Sequence, residues 1–267
     1  MKLLKTLPLV AAAMSFAIAS PVKADSSAFT PDQVQQIQAV VHNYLVQNPQ
    51  VLIEVSNALQ KQQMSQLQVK ATALIRANAE QLSNAPNSIV LGNPKGKVTV
   101  VEFYDFQCHH CRDSAPAFDD AIKNNPDVRV IFKDLPIFGQ VSDAAARASL
   151  AAYALDPAKY LAFHDALMQA PIPFDKNTIK KAAEATGYDY LKLHAAMQDK
   201  SNAAVLKANF ELAEKLLEPT INVVATPAIV VLSSDTTASS TVPVAFMPGQ
   251  IDSKQLQDLI NQVSGSH

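Results

Sequence analysis

The chain has 267 residues, of which 48% are hydrophobic, and a formal net charge of -2 at pH 7. A chain of this size and composition can bury a full core, with room for one domain and an appendage. Mild acidity argues against nucleic acid as a partner, since such partners favour basic surfaces.

The N-terminus predicts a secretory signal peptide over residues 1–24. Lys2 and Lys5 precede an apolar stretch at 7–19, and small residues lead to a cleavage site after Ala24. The apolar core of this segment is too short to span a bilayer. Cleavage after Ala19 is an alternative to cleavage after Ala24. We therefore expect a periplasmic mature protein, whose net charge moves from -2 to -5 because three lysines and no acid are removed.

Residues 25–85 predict a helical segment with its own composition. Residues 33–81 hold twelve glutamines, and the first glycine of the chain is Gly92. A capping box at 30–33, with proline at the first helical position, begins the first helix. The apolar residues that follow at helical spacing are Val34, Ile37, Val41 and Tyr44.

A second, longer helix is predicted to follow Asn48-Pro49 and to run to about Leu82. Its apolar stripe is narrow and its other faces are rich in glutamine. A partner helix from a second subunit would cover the stripe, whereas folding back on its own domain is the alternative. We expect a homodimer through residues 25–85, followed by a linker at 84–87 and a catalytic domain at 86–267.

Cys108 and Cys111 are the only cysteines of the chain, and they flank His109 and His110. Without a third thiol they form a redox pair rather than an internal disulfide framework. A buried strand is predicted before them and a helix from residue 108 onward, so Cys108 lies where helix N–H groups favour a thiolate. We expect Cys108 to be the exposed, acidic nucleophile, assisted by both histidines, and Cys111 the more buried resolving thiol.

Other uses of this motif fit less well. Adjacent His109 and His110 cannot both complete a zinc tetrahedron with the flanking cysteines, and haem attachment would need histidine where Arg112 stands. A disulfide across two residues constrains the unfolded chain very little. We therefore expect no metal and no cofactor. The remaining histidines are scattered singly and are predicted to be surface or core residues: His42, His164, His194 and His267.

From residue 88 onward the pattern predicts a mixed α/β domain. Three or four helices are expected after the third strand, and Ser253 is expected to cap a last helix. This order predicts a thioredoxin-like mixed sheet with an inserted helical subdomain at about 140–218. The predicted strands are 88–91, 97–105, 128–132, 228–232 and 242–246.

This chain resembles the DsbA-like thiol–disulfide oxidoreductases over roughly residues 88–265. The resemblance rests on the segment 101–111, on the inserted helices and on Ala225-Thr226-Pro227-Ala228. It implies that Pro227 is cis and, with Thr226, binds substrate beside the active-site disulfide. An ordinary trans proline at the start of an edge strand is the alternative.

The resemblance also implies a buried acid that assists proton transfer, at Glu102, six residues before Cys108. Strand alternation could instead leave Glu102 facing solvent, and Lys133 on the next strand could pair with it. Two departures from the oxidase prototype are His109, in place of proline, and Thr226, in place of valine. Thr226 and the helical extension resemble the disulfide isomerases and the dimeric DsbA-like subgroup.

The sequence therefore predicts a periplasmic enzyme that forms or isomerises disulfide bonds in secreted proteins. Its expected partners are unfolded or misfolded clients with cysteines and a membrane redox protein that recycles the Cys108–Cys111 pair. Two alternatives remain. One is a periplasmic copper- or zinc-handling protein that uses residues 108–111, and the other is a dimeric chaperone that uses the N-terminal helices.

Overall fold

The computed structural model describes residues 29–236 and 242–265. The predicted signal peptide at 1–24 lies outside the described residues. Within them the chain forms ten helices and five strands. The helices are α1 (Pro31–Gln47), α2 (Gln50–Ala77), α3 (Ala79–Asn84), α4 (His109–Asn124), α5 (Gln140–Leu155), α6 (Tyr160–Gln169), α7 (Thr178–Ala185), α8 (Tyr190–Ala196), α9 (Lys200–Ile221) and α10 (Ser253–Ser264). The strands are β1 (Ile89–Gly92), β2 (Val98–Tyr104), β3 (Val128–Asp134), β4 (Ala228–Ser233) and β5 (Val244–Pro248).

A first compact unit ends at Ala58 and contains α1 and the start of α2. The predicted capping box is present, because the Thr30 side chain accepts a hydrogen bond from the Gln33 N–H and Pro31 opens the helix. No residue of α1 is buried within the described chain. The predicted apolar stripe of α1 is therefore fully available to another molecule.

The second compact unit begins at Leu59. The second helix ends earlier than predicted, since α2 stops at Ala77 and α3 continues after a break at Asn78. Ile75 and Leu82 are buried in the hydrophobic core of this unit. The unit thus starts well before the predicted domain boundary at residue 86, because the last turns of the stripe pack on the chain's own sheet.

The five strands form one mixed sheet in the order β1-β3-β2-β4-β5. The central strand β2 runs parallel to β3 and antiparallel to β4, and β1 and β5 are antiparallel edge strands. Every residue of β2 is buried, as expected for a strand covered on both faces. The predicted thioredoxin-like mixed sheet is confirmed.

The two faces of the sheet carry separate cores. One contains Tyr104, Phe118 and both cysteines, and the other contains Phe103 and Ile131. Successive residues of a strand point to opposite faces, so Glu102 and Tyr104 lie on the cysteine side and Phe103 on the other. This alternation decides which buried charges can reach the active site.

The inserted subdomain consists of five helices, α5 to α9, rather than three or four, and extends to Ile221. The last helix is capped by Asp252 instead of Ser253, because the Asp252 carboxylate accepts the Gln255 N–H in a capping box. Among the described residues, no helix combines the length and the apolar character that crossing a membrane requires.

Candidate active site

The loop between β2 and α4 is fixed by Asp105, a buried acid that the sequence analysis did not single out. One carboxylate oxygen accepts hydrogen bonds from the Gln107 N–H and the Ser142 hydroxyl, both at 2.8 Å. The other accepts the Ile137 N–H at 2.8 Å. The loop that carries Cys108 is therefore tied to the chain beyond β3 and to the start of α5.

Cys108 is the N-cap residue of α4, as the motif predicts. The pKa of its thiol is lowered from 9.0 to about 6, mainly by a hydrogen bond from the Cys111 thiol. The main-chain N–H groups of Cys111 and His110 add to this effect, while burial opposes it. A thiol with this pKa is mostly a thiolate at neutral pH.

The exposure of Cys108 differs from the prediction. Its residue surface is only 4% exposed, and that of Cys111 is 0%. Cys108 is thus the more accessible thiol, but it is shielded rather than exposed. The cause is the chain at Thr226, whose main-chain oxygen accepts a hydrogen bond from the Cys108 Sγ at 3.3 Å.

Cys111 and Glu102 form the buried side of the site. Burial raises the pKa of Cys111 strongly, and the hydrogen bond to Cys108 and the charge of Glu102 raise it further. Burial also raises the pKa of Glu102 well above 4.5, with a second contribution from Cys108. Glu102 is 1% exposed, so the alternative of a solvent-facing carboxylate is wrong. The Oε1 atom of Glu102 has no hydrogen-bond partner among the described residues.

The peptide bond between Thr226 and Pro227 is cis, and the alternative of a trans proline is wrong. This bond immediately precedes β4. The Thr226 oxygen contacts the Cys108 Sγ, so the fold brings this segment to Cys108 although the two are far apart in the sequence.

His109 and His110 are both exposed, and neither imidazole is among the groups that lower the pKa of Cys108. The His110 Nδ1 lies 2.9 Å from the Gln250 Oε1. The thiolate is stabilised instead by the main-chain N–H of His110. An N–H group at a helix N-terminus already points toward the cap position, whereas an imidazole must turn back to reach it.

The predicted pairing of Lys133 with Glu102 is also wrong. In the register of β2 and β3, Glu102 lies beside Phe132 and Lys133 lies beside Phe103. Lys133 therefore points to the opposite face of the sheet, where its Nζ lies 3.5 Å from the Ser88 Oγ. Burial lowers the pKa of Lys133 to about 8.

Arg112 is a second residue whose structural role the sequence did not reveal. Its guanidinium donates hydrogen bonds to the main-chain oxygens of Phe106, Leu167 and Ala170. It therefore fastens the active-site loop to the end of α6. Its position directly after the motif was visible, but its acceptors lie on the insert and cannot be found without the fold.

Two apolar residues, Phe138 and Ile172, are exposed on segments that contact the active-site loop. Phe138 is 56% and Ile172 38% exposed. The Phe138 N–H is bound by Asp105 at 3.3 Å, and Phe174, two residues after Ile172, is bound through its N–H by Gln107 at 3.3 Å. Both segments are thus tied to the loop that carries Cys108.

A metal ion in a protein is held by a cluster of ligand side chains. The described residues contain no cluster of three or more histidine, cysteine, aspartate or glutamate side chains that could hold an ion. The arrangement suits thiol chemistry instead, since it contains an acidic thiol, a buried partner thiol and a buried carboxylate.

Two family models match the chain. The one described as Thioredoxin matches residues 83–242, which is more than half of the sequence. The one described as Copper resistance protein ScsC N-terminal domain matches residues 33–66. No curated protein matches the chain.

Solved structures share the fold over nearly their whole length. A linker-deletion mutant of Proteus mirabilis ScsC is 26% identical, with a TM-score of 0.63, and the match covers 91% of this chain and 100% of that one. A thioredoxin-like oxidoreductase from Silicibacter pomeroyi is 35% identical, with a TM-score of 0.61 and coverage of 71% and 99%. A periplasmic thioredoxin-like protein from Salmonella enterica is 26% identical, with a TM-score of 0.57 and coverage of 70% and 95%.

Proposed function

Because this chain belongs to the thioredoxin family and is a DsbA-like thiol–disulfide oxidoreductase with an N-terminal helical extension, we propose that it forms and isomerises disulfide bonds in secreted proteins of the periplasm. The observation that carries this proposal is the unequal Cys108–Cys111 pair. One thiol has a pKa of about 6, and the pKa of the other is strongly raised.

This inequality gives each sulfur a separate task. In oxidation, a client thiolate attacks the Cys108 Sγ of the disulfide, and Cys111 leaves and takes up a proton. A second client thiolate then attacks the client sulfur of the mixed disulfide and releases Cys108 as a stable thiolate. In isomerisation, the Cys108 thiolate attacks a wrong client disulfide, and Cys111 releases the enzyme if rearrangement stalls.

Glu102 is the proton acceptor and donor for Cys111 in this proposal. Cys111 must lose a proton before it can attack, and its thiol is fully buried, so solvent cannot act as the base. Glu102 lies close enough for its charge to raise the pKa of Cys111. A carboxyl group whose own pKa is raised is well suited to receive a thiol proton.

Clients bind as unfolded chains next to Cys108. The exposed apolar side chains of Phe138 and Ile172, on segments tied to the active-site loop, suit the hydrophobic side chains of such clients. The Thr226 oxygen, next to Pro227, can accept a main-chain hydrogen bond from a client once the Cys108 thiol has reacted. Main-chain contacts of this kind are independent of the client sequence, as a general exchange enzyme requires.

The periplasmic setting and the assembly complete the proposal. The predicted signal peptide and the similarity to a periplasmic thioredoxin-like protein support the location. A membrane redox protein would recycle the Cys108–Cys111 pair. The exposed stripe of α1 supports self-association, and a homodimer would place two sites near one misfolded client.

The proposal is tested with two model clients, one reduced and one carrying scrambled disulfides. Wild-type protein should accelerate the recovery of both native clients. Cys108→Ser should abolish both activities, whereas His42→Ala, a change in α1 far from the motif in sequence, should preserve both. Equal recovery with wild type and Cys108→Ser would rule out the proposed chemistry.

Copper handling is the second candidate, and it is favoured by the match of residues 33–66 to an N-terminal domain of a copper resistance protein. Cys108 and Cys111 would supply two thiolate ligands, which suit Cu(I). Titration of the reduced protein with Cu(I) tests this candidate. Stoichiometric binding that Cys111→Ser abolishes would support it, and equal weak binding by both proteins would exclude it.

A further inference from the structure

His164, on α6, is buried against aromatic residues of the core that contains the cysteines, and the exchange reaction described so far does not explain it. It is 2% exposed, and its ring stacks on Phe132 with centroids 4.5 Å apart and planes 11° from parallel. Tyr104 lies against it with centroids 5.4 Å apart. The predicted choice between a surface and a core histidine is thus resolved in favour of the core.

The two ring nitrogens of His164 have different surroundings. Nδ1 lies 3.2 Å from a carboxylate oxygen of Asp165, whose side chain is 25% exposed. Asp165 and Asp119 line a small cleft of about 70 Å³. Nε2, by contrast, is buried and has no hydrogen-bond partner among the described residues. A buried polar atom without a partner is uncommon and calls for an explanation.

The unpartnered Oε1 of Glu102 lies in the same part of the core. In the sheet, Glu102 is directly beside Phe132, the residue on which His164 stacks. Burial is the main cause of the raised pKa of Tyr160, but the charge of Glu102 also contributes, and the Tyr160 ring lies 6.1 Å from that of His164. Glu102 and His164 therefore both lie next to Phe132, in the core on the cysteine side of the sheet.

We propose that His164 relays protons between Glu102 and solvent, and this inference rests on the proposed exchange function. When Cys111 resolves a mixed disulfide, its proton passes to the Glu102 carboxylate. The Cys111 thiolate then forms a bond to the Cys108 Sγ, and the client sulfur leaves with the electron pair as a thiolate. The proton on Glu102 passes to Nε2 of His164, which releases another from Nδ1 to Asp165 and the cleft. Oxidation of a client uses the same path in reverse.

The buried hydroxyl network on this side does not offer such a path. The Tyr104 hydroxyl donates to Asp134 at 2.7 Å, and the Ser149 hydroxyl lies 2.8 Å from that of Tyr160. All four side chains of this network are buried, so it has no exposed member through which a proton could leave. The titratable and charged groups around His164 and the cleft are Glu102 and Tyr104 on β2, Asp134 on β3, Arg112 and Asp119 on α4, and Tyr160 and Asp165 on α6.

The test uses reduced full-length protein and dithiobis(nitrobenzoate), an aromatic disulfide that releases a coloured thiolate. The first release reports the attack of Cys108, and the second reports the resolution of the mixed disulfide by Cys111. His164→Phe keeps an aromatic ring on Phe132 but removes both nitrogens. The matched control is His194→Phe on α8.

We expect His164→Phe to slow the second release about tenfold, which is less than the effect of removing a general base because Glu102 is still present. The rate of the first release should stay within about twofold of the wild-type rate. The slowed release should rise steeply with pH, because hydroxide must then replace the relay. His194→Phe should change neither phase. If His164→Phe does not fold, His164→Gln replaces it in the test. Glutamine can still hydrogen-bond to Asp165 but cannot relay a proton, so the same slowing of the second release is expected.

An unchanged second release would overturn the relay while leaving the exchange function intact. Equal slowing of both releases, without a steeper pH dependence, would assign His164 a purely structural role. Failure of wild type to show either release would instead refute the exchange function itself.

Discussion

The Sγ atom of Cys108 lies 3.3 Å from the main-chain oxygen of Thr226, across 118 residues of sequence. This contact joins the N-terminus of α4 to the start of β4 at the middle of the sheet. The nucleophile and the main chain available to a client therefore occupy one point of the fold. A client that binds at Thr226 and Pro227 therefore lies next to the thiol with which it reacts.

Replacing Cys111 should raise the pKa of Cys108. The Cys111 thiol contributes most to lowering that pKa to about 6, so Cys111→Ala should move it toward the reference value of 9.0. Titration of the thiolate absorbance measures the shift. His110→Ala is the matched control, because it retains the main-chain N–H, and it should leave the pKa nearly unchanged. A larger pKa shift for His110→Ala than for Cys111→Ala would show that the His110 imidazole is the main cause of the low Cys108 pKa.

The reduced protein should be more stable than the oxidised protein above pH 6. The folded pKa of Cys108, about 6, lies below the unfolded value of 9.0, so the stabilisation is fully present above pH 9 and is lost as pH falls to 6. The expected gain is about 1 kcal/mol at pH 7, equivalent to a few degrees in Tm. Melting curves of both forms between pH 5 and pH 8 provide the measurement. A difference that does not shrink toward low pH would contradict this account.

Glu102→Gln should stabilise the fold and slow the resolving step. Burial raises the pKa of Glu102 above its unfolded value, so its stabilising protonated form is lost as pH rises. The variant should therefore melt at a higher temperature than wild type at pH 8, with a smaller difference at pH 4. Release of a client from the mixed disulfide should slow about a hundredfold, within the range for loss of a general base. Glu214→Gln, an exposed change on α9, should alter neither property.

The α1 stripe should mediate self-association. Ile37 and Val41 lie one helical turn apart and are exposed, so a partner chain would bury both. Ile37→Lys combined with Val41→Lys should yield a monomer by light scattering, with oxidation of a reduced peptide retained and isomerisation reduced. Asn43→Lys, on the other side of α1, should leave the assembly intact. A monomeric wild type would exclude the stripe as an interface.

Sequence patterns predicted the parts of the site that depend on local order. The strand, the helix and the position of Cys108 at its N-terminus follow from residues within one short segment. The sequence could not supply the register of β2 against β3, and so placed Lys133 beside Glu102 when it lies on the other face. Resemblance supplied Thr226 and Pro227, since spacing alone cannot bring them to the motif.

Residues whose role depends on distant partners were missed for the same reason. Asp105 reads as an ordinary turn residue until Ile137 and Ser142 fold against it. For the α2–α3 region the sequence favours an interface and leaves folding back on the chain as the alternative, because an apolar stripe does not reveal which surface covers it. Only the folded chain shows that Ile75 and Leu82 pack on its own sheet.

The most direct test of the central claim is transfer of a disulfide from the oxidised protein to a reduced two-cysteine peptide, followed by mass spectrometry. The account predicts that one peptide disulfide forms for each Cys108–Cys111 pair reduced. With Cys111→Ser, treated with the same peptide in preoxidised form, the mixed disulfide should accumulate on Cys108. A mixed disulfide carried by Cys111 in wild type, or peptide oxidation at an equal rate by Cys108→Ser, would contradict the account.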